Sequence, residues 1–525
     1  MYATVPIARD RVPTEIWETI FNIAIKDLED KDNKELKGNK DAKDTKLKGY
    51  SFDLEWSKSQ GWVKRELPTM VFAQICTRWR TVVRGSPRLW CSISVELSSL
   101  PVDIRELLET YLIQSKDWPL EVSITLTGRS LSEHGLSAWG MIKNHLPRCK
   151  AFTLDTRNIN TGLSIPEDLS FPILEYLDGF TVGLNEGSLT ALSRAFKRAP
   201  KLAHVSFMAY SFKLVVLPYS QLTSLSIPSL SGNDLGLLLA CLSACEQLQS
   251  LTIHEIWDSS GFESEDEDSE PDDLFPEELQ MPCLRRLRIL EGNGPTIHIA
   301  NELLETLVMP ALLEFEFTNK QWPGTGDSDS LHIMFQRSTL LESVVLRVEQ
   351  SGETSDNTTP AFPLLSFLHN LPQLRRFSLT MFKDETPHGP RRQFEVDYSL
   401  LVHTALSQLF VELSQPRGDN PSGMVFRLLP RLESIHLDLT DIVVADPLVV
   451  DTMLNVVALR ASTSPLKEFT FAQTTRAVGL HGILAKQSDE ELQLAPARQE
   501  RIEALGRGGV NVTFRDCRLP ASMFW

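Results

Sequence analysis

One six-residue pattern recurs along most of this 525-residue chain. It reads L-x-x-L-x-L, with Leu, Ile, Val or Phe at the three apolar places. It begins at Leu174, Leu202, Leu222, Leu248, Leu284, Leu312, Leu341, Leu374, Leu406, Leu432 and Leu466, at intervals averaging about 29 residues. Cys149-Phe152-Leu154 is an earlier member. Trp90-Ile93-Val95 and Leu120-Val122-Ile124 lead in, and Val510-Val512-Phe514 closes the run. Apolar and polar residues alternate within each unit, the period of a strand with one buried face. Helical patterns fill the gaps, as at Ser188–Arg198, Asn233–Cys245 and Asp446–Ala461. Strands alternating with helices imply a parallel sheet. One unit cannot bury its apolar face alone, so neighbours must stack into a shared core. Pro stands two residues before the first apolar place at 172, 200, 282, 310, 372 and 430. There it ends the preceding helix and fixes an extended approach to the strand.

Over roughly residues 90 to 525 these units resemble leucine-rich repeats at the long end of their range. The resemblance implies an α/β solenoid with a parallel sheet. The Asn or Cys usual after the third apolar place is missing; Leu230, Ile256, Gly292, Phe382 and Thr440 occupy that neighbourhood. Without that polar ladder an irregular horseshoe is expected. Two polar inserts interrupt the run. One is an acidic loop at 258–275, with eight acidic residues between Glu263 and Asp273; the other is a polar loop at 350–360. Ser260 and Ser264 each precede an acidic residue at +3, which suits an acidophilic kinase. The intervening strand residues face the concave side of such an array. They include the candidate substrate surface Tyr176, His204, Arg286, Arg288, Arg347 and Arg376, and also Glu314, Glu316, Phe410 and Glu412. Aromatics and Arg carry interface energy, and the four Arg would form a basic strip for an acidic or phosphorylated partner.

A different pattern occupies residues 12–90. V-P-T-E-I-W-E-T-I-F runs from Val12 to Phe21, with Pro13 suited to a first helical position and Ile16, Ile20 and Ile23 on one face. A second helical pattern runs from Leu67. Val71, Ile75, Trp79 and Val82 form its stripe, and Cys76 and Val83 lie beside it as core. Gly85 and Ser86-Pro87 stop it before Leu89 and Trp90. The ordered pair V-P-x-E-I-x-x-x-I-F and I-C-x-x-W-R-x-V-V-x-x-S-P-x-L-W resembles the F-box motif, in the form common in large fungal families. Val12 replaces the usual Leu, and the charged insert at about 26–64 is longer than usual. The resemblance implies a small helical bundle that docks on the Skp-type adaptor of a cullin–RING ubiquitin ligase. Its docking residues would be Val12, Pro13, Ile16, Ile20, Phe21, Val71, Ile75 and Trp79.

The expected architecture is therefore α+β overall. A flexible terminus at 1–10 precedes an F-box-like helical domain at 11–90 and a repeat domain at 91–525. The net charge of −17 argues against nucleic acid or an anionic membrane as main partner. The seven Cys form no C-x-x-C pair and read as small apolar fillers of a reducing compartment. With no apolar signal core in the first 30 residues, a cytoplasmic or nuclear setting is expected. No phosphate loop, dinucleotide fingerprint, H-E-x-x-H or G-x-S-x-G is present, and no His sits at ligand spacing from Cys or carboxylate. No catalytic residue, metal or cofactor is assigned. The expectation is a non-catalytic substrate-recognition subunit of a Skp–cullin–F-box type ubiquitin ligase. Its partners would be the Skp-type adaptor, through it a cullin, and a protein substrate. The alternatives are a repeat scaffold acting outside any ligase and a repeat-based GTPase activator.

Overall fold

At the first place of the repeat, from Leu174 to Leu466, every residue is buried. All but one of these segments enter a strand. The computed structural model describes residue 19 and the stretches 53–56, 63–66, 68–98, 100, 102–126, 131–156, 163–180, 186–207, 216–257, 278–290, 297–319, 329–350, 368–383, 406, 408–415, 428–439, 447–463, 466–473 and 496–516. Residues 1–10, the acidic loop and nearly all of the 350–360 loop lie outside them, as do Val12, Pro13, Ile16, Ile20 and Phe21. The fold is mixed α/β with extensive parallel sheet, in two units, Met1–Thr223 and Ser224–Trp525.

In the first unit, β1 (Asp53–Trp56) and β2 (Val63–Glu66) form an antiparallel pair inside the charged insert, where no strand was expected. Two short helices follow, α1 (Pro68–Ile75) and α2 (Thr77–Gly85). Then β3 (Ser92–Glu96), α3 (Arg105–Gln114), β4 (Leu120–Leu126), α4 (Glu133–Ile142), β5 (Cys149–Thr156), β6 (Tyr176–Phe180), α5 (Glu186–Lys197) and β7 (His204–Phe207) alternate. The five strands β3 to β7 pair in parallel in chain order. Gly135 of α4 could not be another residue: an added Cβ would stand 2.0 Å from the Leu97 carbonyl oxygen. Gly179, at a third apolar place, takes a left-handed φ of 67° where the β6–β7 register shifts. Glycine adopts that conformation without the steric cost other residues bear. Phe152, Phe171 and Phe196 stack through this unit's core, with ring centroids 5.6 and 5.3 Å apart. Each fully buried Phe contributes on the order of 2–3 kcal/mol.

The second unit runs β8 (Ser224–Ile227), β9 (Leu230–Ser231), α6 (Leu235–Ser243), β10 (Ser250–Ile253), β11 (Ile256–Trp257), β12 (Leu279–Gln280) and β13 (Arg286–Ile289). It continues α7 (Ile297–Thr306), β14 (Leu307–Val308), β15 (Glu314–Asn319), α8 (Asp329–Arg337), β16 (Ser343–Gln350), β17 (Arg376–Lys383), β18 (Ser434–Leu439), α9 (Pro447–Thr463), β19 (Glu468–Gln473), α10 (Pro496–Arg507) and β20 (Asn511–Asp516). Strands β8, β10, β13, β15, β16, β17, β18, β19 and β20 pair in parallel, each on the next. One small parallel pair, β9–β11, stands just after the third apolar place, where the Asn or Cys is missing; a second, β12–β14, stands ahead of the hexads that begin at Leu284 and Leu312. The chain turns into β20 through Gly508 and Gly509. Gly509 has a φ of 89°, and the Val510 N–H donates to the Leu505 carbonyl at 3.1 Å, closing the end of α10.

The Pro residues do more than end helices. Leu202 N–H donates to Ala199 O across Pro200 at 3.3 Å, and the same bond recurs from Leu284 to Met281, Leu312 to Met309, Leu374 to Leu371 and Leu432 to Leu429. Each Pro is the second residue of a four-residue turn, a position its fixed φ pre-sets. The residue before it is buried as well: Ala199, Met281, Met309, Leu371 and Leu429. The complete unit is therefore an apolar residue, Pro and one spacer ahead of L-x-x-L-x-L.

Two expectations need correction. Leu406-Leu409-Val411 is not a strand: residues 408–414 are helical, so Phe410 and Glu412 leave the strand face. Leu406, Leu409, Phe410 and Leu413 are buried at helical spacing, while Val411 points outward. The pattern from Leu67 to Trp90 is not one stripe either. Cys76 is extended (φ −157°, ψ 166°) and separates α1 from α2, so Val71 and Ile75 are out of phase with Trp79 and Val82. Cys76 is exposed, not core. Its Sγ accepts the Trp79 N–H at 3.4 Å, capping α2.

Candidate functional site

Two surfaces hold the sequence-derived site residues. The first is the helical pair ahead of β3. Thr69 is buried and donates its hydroxyl to the Leu89 carbonyl at 3.0 Å. Ser86 Oγ donates to Val82 O at 2.8 Å, ending α2 where Gly85 and Ser86-Pro87 signalled a stop. Trp90 donates its indole N–H to Val83 O at 2.8 Å and meets the Tyr111 ring edge-on at 5.0 Å. Burial pushes the Tyr111 phenol up to about 12. Leu89, Trp90, Val82 and Val83 thus weld the pair to α3, and the boundary expected at residue 90 falls inside the first unit.

The other side of α1 is different. Of its residues with described side chains, only Thr69 is buried. Phe72 and the half-buried Trp79 lie edge to face at 5.9 Å, and Ile75 beside them is 55% exposed. The side chain of Val71 lies outside the described residues. The arrangement offers an apolar patch on a helix tied near its start to the Leu89 carbonyl.

The second surface is the sheet face opposite the core. In the first unit Tyr176 and His204 are register partners and stack at 4.4 Å with planes 7° apart. Burial pulls the His204 imidazole below its ordinary pKa, against the raising effect of Glu175. In the second unit Arg286 and Arg288 project from β13, Arg347 from β16 and Arg376 from β17. They do not form the uninterrupted basic strip expected. Arg286 Nε donates to Glu314 at 2.7 Å, and Arg376 Nη2 lies 3.5 Å from the same carboxylate. Arg288 Nε lies 3.1 Å from Glu316, and Arg347 Nη2 lies 3.4 Å from it. Glu314 is held below its usual carboxylate pKa, first by the Arg286 hydrogen bond and then by the charges of Arg286, Arg376 and Arg288. A parallel row links Glu342, Arg375, Glu433 and Lys467 across β16 to β19. Sequence reasoning placed Glu314 and Glu316 on this face; the register that makes them bridges was the missing step.

Among the described residues no group of three or more His, Cys, Asp or Glu is placed to hold a metal ion, and no helix is long and apolar enough to cross a membrane. Burial pushes the Cys91 thiol to about 11 and that of Cys245 to about 12, the behaviour of apolar filler. No family model matches the chain, and no curated protein matches its sequence.

Proposed function

We propose that the chain is the substrate-recognition adaptor of a Skp–cullin–F-box type ubiquitin ligase. Its head is read as an F-box-like bundle and its parallel strands as a leucine-rich-repeat solenoid. The observation that carries the reading is the patch on α1: Ile75 more than half exposed, beside Phe72 and Trp79, on a helix tied firmly to the chain behind it. An apolar helix face left open in this way suits a partner's groove. Covering such a side chain is worth on the order of 1–2 kcal/mol. In this reading the chain supplies proximity and no chemistry, holding a bound protein within reach of a charged conjugating enzyme. It needs no cofactor or metal, and works in the cytoplasm or nucleus.

Affinity purification from cells tests it. The Skp-type adaptor and a cullin are expected to co-purify with the chain. Ile75→Asp, combined with Pro13→Ala and Ile16→Asp, is expected to remove both. Recovery of the adaptor without a cullin would leave a repeat scaffold acting outside a ligase. Recovery of neither with the unaltered chain would end the proposal.

A further inference from the structure

The strand face of the first unit differs in charge from that of the second. No Lys or Arg stands at an outward place of β4 to β7, whereas Glu121, Asp155 and Asp178 do. One row of the register on this face is built around a gap. Glu121, Ala151, Tyr176 and His204 follow one another across β4, β5, β6 and β7. The Tyr176 and His204 rings lie in nearly parallel planes 4.4 Å apart, about one strand spacing. Their stacking axis therefore runs across the strands, and the opposite face of the Tyr ring turns toward β5. The register partner there is Ala151, whose side chain is a single methyl. A slot is left over Ala151, with an aromatic face as one wall and Glu121 as the other. Its walls rise from strands roughly 9–10 Å apart, twice the spacing of neighbours. Thr153 and Asp178, partners in the next row, stand at one end of it. Tyr176 is 40% exposed, so the ring is open to solvent. The cations nearby are engaged elsewhere. Lys150 pairs with Glu175 at 3.3 Å, and Arg148 donates to Trp118 O at 2.9 Å and to Ser115 Oγ at 3.2 Å. Among the described residues Glu121 and Asp178 make no ion pair, with Arg88 or any other cation.

We infer that this slot holds an arginine side chain presented by a protein partner. This deepens, and rests on, the adaptor reading, because it names a residue by which cargo is captured. A guanidinium laid on the Tyr176 ring, about 3.5–4 Å from its plane, is attracted by the ring's quadrupole. Its N–H groups lie in its own plane and point along the strands toward Asp178. The exposed Glu121 balances the charge from the far wall. Lys suits the slot less well, because an ammonium is a compact, strongly hydrated point charge that does not stack. His204 does not oppose the cation. Burial, against the raising effect of Glu175, pulls its imidazole below the ordinary pKa, so it is largely uncharged near neutral pH. The His ring also holds the Tyr ring in place, so little side-chain freedom is lost on binding.

Selection of random displayed decapeptides on the immobilised full chain tests the inference. Arg is expected at one position about fivefold or more above its input frequency, and well above Lys there. Equal enrichment of Arg and Lys would reflect only the net charge of −17 and overturns the inference. A selection without Arg preference, or without binders, overturns it as well. An enriched peptide is then labelled for fluorescence anisotropy. Ala151→Leu fills the slot while every charge and ring stays, and is expected to weaken binding about tenfold or more. Tyr176→Ala is expected to weaken it about fivefold, whereas Tyr176→Phe keeps the ring face and stays within about twofold. Glu121→Gln is expected to weaken it about threefold or more. Glu500→Gln on α10 removes the same charge elsewhere and leaves binding unchanged. A thermal melt verifies that each variant is folded. A folded Ala151→Leu variant that binds like the parent overturns the inference. If that variant does not fold, the exposed substitution Glu121→Gln decides, and unchanged binding overturns it. The peptides meet the chain alone, so the result is independent of cullin recovery. Lost cullin with Arg selection intact sinks the adaptor reading alone, and retained cullin without Arg selection sinks this inference alone.

Discussion

Leu406 to Val411 and Leu432 to Leu437 share one apolar spacing, yet the first lies in a helix and the second in a strand. What surrounds each hexad explains the difference. After Leu409 the first segment places Phe410 and Leu413 one helical turn on from Leu406 and Leu409, completing a four-residue apolar stripe. No Pro stands two residues ahead of it. The second follows Leu429-Pro430-Arg431. Leu432 closes the turn onto Leu429, and Glu433 and Ser434 both donate their N–H groups to Arg375 O, at 2.8 and 2.9 Å. The chain thus arrives at the open edge of β17 already extended. Hexads of the same apolar spacing diverge because one is delivered to a sheet edge and the other continues its own helical period.

Arg460 of α9 holds both outcomes at once. Fully buried, it donates to Leu413 O at 3.0 Å in the helix, and to Leu429 O at 2.9 Å and Leu428 O at the turn. Desolvation draws its pKa down to about 10. Arg460→Met leaves three carbonyls without this donor and is expected to cost about 3–5 kcal/mol in urea unfolding. A loss under about 1 kcal/mol would mean that the helix and the turn are secured without it. A paired experiment then sharpens the helix assignment. Phe410→Asp buries an unpaired charge and is expected to cost about 4 kcal/mol or more, whereas Val411→Asp stays within about 0.5 kcal/mol. A strand with the expected L-x-x-L-x-L facing would reverse that order. The smallest effect is at the turn. Pro430→Ala frees the unfolded chain and is expected to cost about 0.4–1 kcal/mol, with an unchanged circular dichroism spectrum. Conversion of 432–437 to helix in that variant would show that Pro430 alone sets the outcome.

Much of the strand run could be read from residues. Leu225, Leu251, Leu287 and Phe315 mark their strands because burial on one face enforces a period of two. The helix at Glu186–Lys197 matched its pattern within two residues. The break at Cys76 was not legible, since Cys ranks low among residues that cap helices and Ile75-Cys76-Thr77 looks continuous in period. The helix at 406 was legible in Phe410 and Leu413, but the hexad template stops two residues short of Leu413. The Arg–Glu bridges depended on register. Arg286 and Arg376 lie 90 positions apart in the chain and meet one carboxylate only because β13 and β17 bracket β15 and β16 in the same alignment.

The two small pairs in the second unit have a further consequence. Leu230 N–H donates to Glu255 O at 2.8 Å, and Met281 N–H to Val308 O at 2.9 Å, so backbone rather than a repeated side chain holds these bends. Backbone bonds impose no residue type. The acidic stretch from Glu263 to Asp273 departs after one such pair, beyond Trp257, and the chain returns at the next, before Leu279. Bends fastened in this manner let segments be spliced in, lengthened or removed at one margin while the neighbouring strands keep their alignment. Changes of length and composition can thus accumulate there without rewriting the rest.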